Sequence, residues 1–334
     1  MSSNDENPGG ARAVTSAQRT STGDDLRRWR IGIPIFFAIY LAWTSFAIGL
    51  RSEHFVIVLV SVALFFINDR TARFAIMVLP FLGVGILYDN LRLALDLRAE
   101  IHVADLYASE LRWFGVAGSS GRQTLPEYFF AHNHAVLDFI CGLAYLVYLA
   151  ESFLFAIVLF FKDQPRLERF AWTFLLINVL GIATYLIYPA APPWYVMDYG
   201  LGPAVLDALP SPAGTARFDE LLNVTVFKSF YSRNANVFGA MPSLHCAYPT
   251  GVVMAAWTYG RGWRAGAIAF ALLVCFSAVY LSHHYVFDVL AGIVYGAVSY
   301  GLVCAVFSAL GKRAEGVDDD PSDSELVAGR GRAL

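Results

Sequence analysis

The segments Gly239–His245 (GAMPSLH) and Ser282–Asp288 (SHHYVFD) place titratable side chains directly beside long apolar runs. Ionisable groups near hydrocarbon are costly, so in a membrane protein they indicate a functional site. One histidine in such a position is usually an ordinary hydrogen-bonded side chain. Two such segments on the same predicted face of the protein indicate two halves of one site.

Composition indicates a membrane protein. The chain has 334 residues, of which 57% are hydrophobic and 15% are charged. A soluble domain has a smaller apolar share, and several apolar runs reach the roughly 17–25 residues that cross a bilayer. The net charge of −3 identifies no partner, and no basic patch with interleaved aromatic residues indicates nucleic acid. The four cysteines form neither a zinc-binding CxxC spacing nor a disulfide framework.

The fold class predicted from this pattern is an all-α polytopic membrane protein with about eight spanning helices. The predicted spans are Ile31–Leu50, Phe55–Ile67, Phe74–Leu87, Ala135–Phe161, Phe170–Tyr188, Ala247–Tyr259, Ala265–Leu281 and Val286–Leu310. Residues 26–73 form an N-terminal hydrophobic hairpin in this scheme. Residues 1–25 and 311–334 are rich in polar, charged and small residues, which predicts disordered tails.

Two connecting segments differ from the spans. Residues 91–121 carry apolar side chains at helical spacing and charged side chains on the other faces, which predicts an amphipathic helix lying in the interface. Residues 190–244 form an outer loop rich in proline, glycine and aromatic residues. Loops of this length are usually functional or disordered.

The distribution of basic residues predicts the orientation. With eight spans and a cytoplasmic N terminus, the inner connections carry Arg70, Arg73, Lys162, Arg166, Arg169, Arg261, Arg264, Lys312 and Arg313. This is the positive-inside pattern, and it predicts that both termini are cytoplasmic. The same assignment puts a set of polar residues on the non-cytoplasmic face, namely Asp89, Arg92, His132, His134, the outer loop, His245, His284 and Asp288.

The chemistry of the two segments favours phosphoryl transfer. His284 and Asp288 are four residues apart and share a helix face, so the carboxylate can hold the imidazole in one tautomer and leave the other nitrogen free as a nucleophile or base. Ser243 can cap the helix that carries His245, and the N terminus of that helix suits a phosphate. His245 there suits general-acid catalysis. No metal ion and no cofactor are required.

The two segments resemble the second and third signature motifs of the type 2 phosphatidic acid phosphatase superfamily. The MPSLH form is similar to the inositol phosphorylceramide synthase branch of that superfamily. The resemblance implies a six-helix catalytic core within residues 74–310 and a phosphohistidine intermediate formed without metal. It also implies that His284 is the nucleophile, Asp288 its orienting carboxylate and His245 the general acid, with Ser243 and nearby backbone N–H groups around the phosphate.

Two further segments bear on the resemblance. Tyr188–Trp194 resembles the first-motif region of the branch, and Asp89 with Arg92 resembles an acidic–basic pair found there. The phosphatase motif KxxxxxxRP is missing, and Ser277-Ala278 stands where the phosphatases have Ser-Arg. Another cation must therefore neutralise the phosphate. The candidates are Arg92 and Arg233, followed by Lys228 and His283.

His134 and Asp138 repeat the four-residue spacing at the outer end of the fourth predicted span. They can bind an alcohol headgroup or act as a second relay. The more common arrangement for such residues is a local structural pair.

Three functions are open at this point. The first is a phosphotransferase that moves a phospho-headgroup from a lipid such as phosphatidylinositol to a lipid alcohol such as ceramide or diacylglycerol. The second is a metal-independent lipid-phosphate phosphatase, in which water is the acceptor. The third is a non-enzymatic lipid carrier or membrane scaffold whose histidines sense pH. Membrane lipids are the expected partners in each case.

Overall fold

The computed structural model describes residues 8–118, 121–234 and 236–318, with side chains described from residue 25 to residue 311 outside the two short gaps. The described chain is helical apart from one small hairpin. Its elements are α1 (Pro8–Ala47), α2 (Ser52–Ile67), α3 (Asp69–Met77), α4 (Leu79–Leu91), α5 (Ala104–Phe114), β1 (Val116–Gly118), β2 (Gly121–Gln123), α6 (Leu125–Ala131), α7 (Ala135–Lys162), α8 (Gln164–Ile187), α9 (Pro193–Tyr199), α10 (Ala216–Leu222), α11 (Val226–Tyr231), α12 (Leu244–Ala256), α13 (Arg261–Tyr280) and α14 (Val286–Asp318).

The all-α polytopic fold predicted from composition is confirmed. Five helices are long and apolar enough to cross a membrane, and α3 with α4 makes a sixth if that bent pair is one span. The predicted span over residues 74–87 is broken at Val78, where α3 ends. Two other predicted spans correspond to short helices, the 16-residue α2 and the 13-residue α12. The count of eight therefore stays a prediction.

The chain divides into two compact units, Met1–Leu79 and Pro80–Leu334. In the first unit, α2 packs against α1 and α3. Arg30 fixes this arrangement, because its Nη2 lies 2.7 Å from Asp69 Oδ1 and its Nε donates to Phe65 O at 2.9 Å.

The ends of the chain differ from the predicted tails. Helix α1 begins at Pro8, inside the segment 1–25 that was predicted to be disordered. Helix α14 continues to Asp318, and residues 1–7 and 319–334 lie outside the described chain.

The predicted interfacial helix is shorter than the segment 91–121. Only α5 is an α-helix in that segment, and it is preceded by a 3-10 turn and followed by the hairpin β1–β2. Backbone pairing explains the break, because Ala99 N donates to Leu186 O, His102 N donates to Pro189 O and Ala191 N donates to His102 O. Residues 99–102 are therefore held extended beside the end of α8.

The outer loop is ordered by short helices and covers the turn between α13 and α14. Trp194 N donates to Ser282 O at 3.1 Å, and Gly214 N donates to Leu281 O at 2.9 Å. Gly214 is required for this approach, since a Cβ at that position would lie 2.8 Å from Leu281 Cα. The outer loop thus fixes the turn that carries His283 and His284.

Helix α12 is at the centre of the second unit. It packs against α7, α8, α13 and α14, and ten of its 13 residues are buried. Gly292 and Gly296 on α14 have the spacing that lets two helix backbones approach closely. A Cβ at Gly292 would lie 2.2 Å from Ser243 O, and one at Gly296 would lie 2.5 Å from Ala247 O.

The close approach at Gly292 predicts a large effect for one methyl group. Gly292→Ala places its Cβ against the Ser243 carbonyl, and overpacking of this kind costs about 1–3 kcal/mol. We expect the purified Gly292→Ala variant in detergent to melt at a lower temperature than the wild-type protein. Tryptophan fluorescence during heating would measure the melting temperature. Gly301→Ala on the same helix is the control, because a Cβ there meets nothing within 4 Å. Equal melting temperatures for the two variants would contradict this packing.

Candidate active site

The structure brings the two histidine segments together. His245 Nδ1 and His284 Nε2 are 3.1 Å apart, although the residues are 39 positions apart in the chain. His245 lies in the first turn of α12, and His284 lies two residues before the start of α14. A backbone hydrogen bond from Ser243 N to Asp288 O, 2.9 Å long, joins the two segments beside the histidines.

The hydrogen bonds define the tautomer of His284. Its Nδ1 lies 2.8 Å from Ala240 O, and a carbonyl oxygen can only accept. Nδ1 therefore carries a proton, and in the neutral ring Nε2 holds the lone pair. It follows that His245 Nδ1 donates to His284 Nε2. The lone pair of His284 points to the place where the second imidazole lies.

Asp288 does not hold His284 in the way the spacing predicted. Its Oδ2 is 3.7 Å from His284 Nδ1, which is beyond hydrogen-bonding distance, and accepts instead from Tyr285 N at 2.8 Å. The Ala240 carbonyl occupies the position on Nδ1 that was assigned to the carboxylate. Asp288 is completely buried and still provides a negative charge close to the ring.

Ser243 occupies the N-cap position of α12 as predicted, but its side chain does not cap the helix. Its Oγ donates to Cys246 Sγ at 3.3 Å. The residue is fully buried because its carbonyl packs against Gly292 of α14. Its position beside both histidines is set by its backbone, whose N–H donates to Asp288 O.

Aromatic rings form a stack through the site. The His245 ring lies 4.2 Å from the ring of Tyr145, which lies 5.1 Å from His283, and His283 lies 4.6 Å from Tyr231. The three ring pairs are close to parallel, with angles of 14–16°. The negative face of an aromatic ring stabilises a cation placed over it. Tyr145 therefore suits His245 when that ring carries a proton.

Sequence reasoning did not single out Tyr145 or its neighbour Tyr148, whose ring lies 4.7 Å from His245. Both are in the fourth predicted span, where tyrosines are unremarkable. Their separation of three residues places them on one helix face. This shared face is a signal in the sequence, but it does not show that the two tyrosines contact His245.

His283 is a poor candidate for the phosphate-binding cation. Burial and, to a smaller extent, the neighbouring His284 together lower its pKa to about 3. The ring is therefore neutral at physiological pH. It lies between two tyrosine rings and contributes to the stack, which corrects the prediction that it supplies positive charge.

The other predicted cations lie in different settings. Arg92 is half-buried at the end of α4, and its Nε is buried with no hydrogen-bond partner among the described residues. Asp89 lies in the last turn of the same helix. Lys228 and Arg233 are exposed in and after α11.

Tyr185 of α8 contacts the segment that precedes His245. Its OH donates to Pro242 O at 3.1 Å.

Asp138 is paired, but not with His134. Its Oδ1 accepts from Arg217 Nε at 2.7 Å and from Tyr280 OH at 2.9 Å. His134 Nδ1 accepts from Val136 N at 3.2 Å and so caps α7. The predicted local pair is wrong, because Arg217, 79 residues away in the outer loop, outcompetes the nearer histidine for the buried carboxylate.

The part of the chain that the structure describes contains no group of three or more histidine, cysteine, aspartate or glutamate side chains arranged to hold a metal ion.

The chain is similar in sequence to proteins of one known family. The family model described as the PAP2 superfamily matches residues 123–302. Phosphoinositol dihydroceramide synthase of Bacteroides thetaiotaomicron is 40% identical over 263 residues, which is 78% of this chain and 86% of that protein. Inositol phosphorylceramide synthase of Candida albicans is 29% identical over 77% of this chain and 53% of its own length.

The inositol phosphorylceramide synthase catalytic subunit of Saccharomyces cerevisiae is 31% identical over 70% of this chain and 58% of its own length. The chain thus spans somewhat more than half the length of these two fungal relatives. No solved structure gives a significant match.

Proposed function

Because the chain belongs to the PAP2 superfamily, we propose that it is a membrane phosphotransferase that moves phosphoinositol from phosphatidylinositol to the hydroxyl of a ceramide-type lipid. The observation that carries this proposal is the 3.1 Å contact between His245 Nδ1 and His284 Nε2. The names of the bacterial and fungal relatives supply the headgroup and the class of acceptor. No feature of the site favours water as the acceptor.

The first half of the reaction uses the lone pair of His284. Its Nε2 attacks the phosphorus of the donor, and the bond from phosphorus to the glycerol oxygen breaks. Burial lowers the pKa of His245 in the free site, and the anionic phosphate bound beside the ring favours its doubly protonated, cationic form. That ring gives its Nδ1 proton to the glycerol oxygen and becomes neutral, so the leaving group departs as neutral diacylglycerol. Phosphoinositol is then bound to His284 Nε2. The phosphorylated ring keeps its Nδ1 proton and is cationic, and Asp288 and the Ala240 carbonyl stabilise it.

The second half reverses the proton transfer. His245 Nδ1, now without its proton, removes the proton from the hydroxyl of the acceptor lipid. The oxygen attacks phosphorus and the bond to His284 Nε2 breaks. Both histidines return to their starting states. A site surrounded by packed helices limits competition from water.

Phosphate binding must separate the two rings. No phosphorus atom fits between nitrogens that are 3.1 Å apart, so the phosphate group has to replace the direct hydrogen bond. His245 is the ring with freedom to move, because it is only partly buried whereas His284 is buried and held at Nδ1.

The negative charge of the phosphate requires a cation, and we propose Arg92 for this role. Its Nε is buried without a hydrogen-bond partner among the described residues, and a buried donor without an acceptor is costly. A phosphate oxygen would satisfy that donor. Asp89 then orients the donor or acceptor headgroup nearby, and the exposed Lys228 and Arg233 attract anionic lipid to the surface.

The basic residues of the predicted inner connections favour an active site on the non-cytoplasmic face and cytoplasmic termini. An epitope at the C terminus should therefore be protected from protease in sealed right-side-out vesicles. Digestion of the epitope in intact vesicles would show the opposite orientation.

The function is tested with purified protein in detergent and phosphatidylinositol labelled in its inositol. We expect a labelled sphingolipid only when ceramide or dihydroceramide is added, and unchanged turnover in EDTA. His284→Ala should remove turnover, and His245→Ala should lower it by about 10²–10⁴-fold, the contribution of a general acid. The exposed His132→Ala is the matched control. Release of inositol phosphate without a lipid acceptor would instead identify a hydrolase.

The aromatic stack gives a separate prediction. Tyr145→Phe keeps the ring that faces His245, and Tyr145→Leu removes it. A desolvated cation over an aromatic face gains about 2 kcal/mol, so Tyr145→Leu should lower kcat by roughly tenfold or more while Tyr145→Phe stays near the wild-type value. Steady-state kinetics on the two purified variants would check this. Equal losses in both variants would show that the hydroxyl, and not the ring face, is the part that acts.

A further inference from the structure

Glu110 is a fully buried carboxylate that the reaction described above does not use. It lies on α5, and its relative exposure is 0%. Its Oε1 accepts from Val286 N at 3.0 Å, and its Oε2 lies 3.4 Å from Phe287 N, which donates to it. These two residues begin α14 directly after the catalytic segment, 176 residues further along the chain than Glu110.

The contacts of Glu110 complete the start of α14. The first N–H groups of a helix have no partner within the helix. Asp288 Oδ2 accepts from Tyr285 N, and Glu110 accepts from the next two N–H groups. Two carboxylates from two elements therefore hold three successive donors. Negative charge is favoured at this end of the helix by the helix dipole.

We propose that Glu110 is a positioning residue for the transfer reaction: it fixes the first turn of α14 and thereby the ring of His284. The inference rests on the proposed function. His284 immediately precedes the three donors, and its ring must keep Nδ1 on Ala240 O and Nε2 towards His245. A shift of the turn moves the nucleophilic nitrogen, and a misplacement of about 1 Å can cost 10²-fold in rate.

The cost of this carboxylate supports a specific role. Burial, which outweighs the opposing effect of the hydrogen bonds from Val286 and Phe287, and the nearby charge of Asp288 together raise the pKa of Glu110 to about 7. The protein thus keeps an acid in a place that opposes its ionisation. An apolar residue would pack there at less electrostatic cost, but it would leave two buried N–H groups without acceptors.

The position of Glu110 also connects the site to the membrane surface. Trp113, on the same helix, is 70% exposed, as expected for a residue at headgroup depth. Phe114 contacts Phe287 edge to face, with ring centroids 5.1 Å apart. Glu110 and Phe114 therefore make two adjacent contacts between α5 and the start of α14.

The test uses three variants at position 110 and one matched control. Glu110→Ala removes both acceptors. Glu110→Gln keeps one acceptor and turns an NH₂ group towards the other donor, and Glu110→Asp keeps the charge on a shorter side chain. The control is Glu127→Gln, which removes a carboxylate that caps α6 through Thr124 N and accepts from Tyr107 OH.

Two readouts separate positioning from general stability. With phosphatidylinositol and ceramide, Glu110→Ala should lower kcat per folded enzyme by about 10–10²-fold, with KM for both lipids within about twofold and Glu110→Gln intermediate. Hydrogen–deuterium exchange of residues 282–290 should be faster in each position-110 variant. Glu127→Gln should lower the melting temperature and leave kcat and this exchange unchanged.

An unchanged kcat in folded Glu110→Gln and Glu110→Asp would overturn the proposal, and so would equal exchange of residues 282–290 in Glu110→Gln and Glu127→Gln. Failure of Glu110→Ala to fold leaves the other two variants to decide. Absence of any transferase activity in the wild-type protein would refute the proposed function. The exchange experiment would still decide whether Glu110 fixes the first turn of α14.

Discussion

The structure depends on the close approach of α12 and α14. Gly292 has no side chain, so the Ser243 carbonyl can lie against α14, and the Ser243 N–H can bond to Asp288 O. This one contact places the start of α12 beside the start of α14. Two imidazoles from distant parts of the chain then come within 3.1 Å of each other. A larger residue at position 292 would separate them, whatever the rest of the bundle did.

Around this contact, the protein controls charge by burial and by backbone groups. The Ala240 carbonyl fixes the proton of His284 on Nδ1, which leaves the lone pair on Nε2. Tyr145 lies against His245, and His283 is kept neutral within the same stack. In the proposed reaction, positive charge resides on the phosphorylated ring of His284 and on His245 as the general acid. We propose that the phosphate charge is neutralised by Arg92, whose Nε is buried without a hydrogen-bond partner among the described residues.

The fold class and the histidine pair could be predicted from the sequence, because apolar runs and short motifs are local signals. The orientation of side chains could not. A four-residue spacing predicts that Asp288 pairs with His284 and that His134 pairs with Asp138. In the structure, His284 Nδ1 instead contacts Ala240 O, and Asp138 instead accepts from Arg217. Segment 91–121 has helical periodicity, yet residues 99–102 pair with the end of α8. Each of these outcomes depends on contacts between distant residues, which periodicity does not record.

The central claim is that His284 Nε2 forms a bond to phosphorus during turnover. It is tested most directly by mixing the purified protein with phosphatidylinositol in the absence of acceptor, quenching at alkaline pH and locating the modified residue by mass spectrometry. The account predicts phosphoinositol on His284, lost when ceramide is added before the quench. Modification at another residue, or transfer to ceramide by a His284→Ala variant, would contradict it.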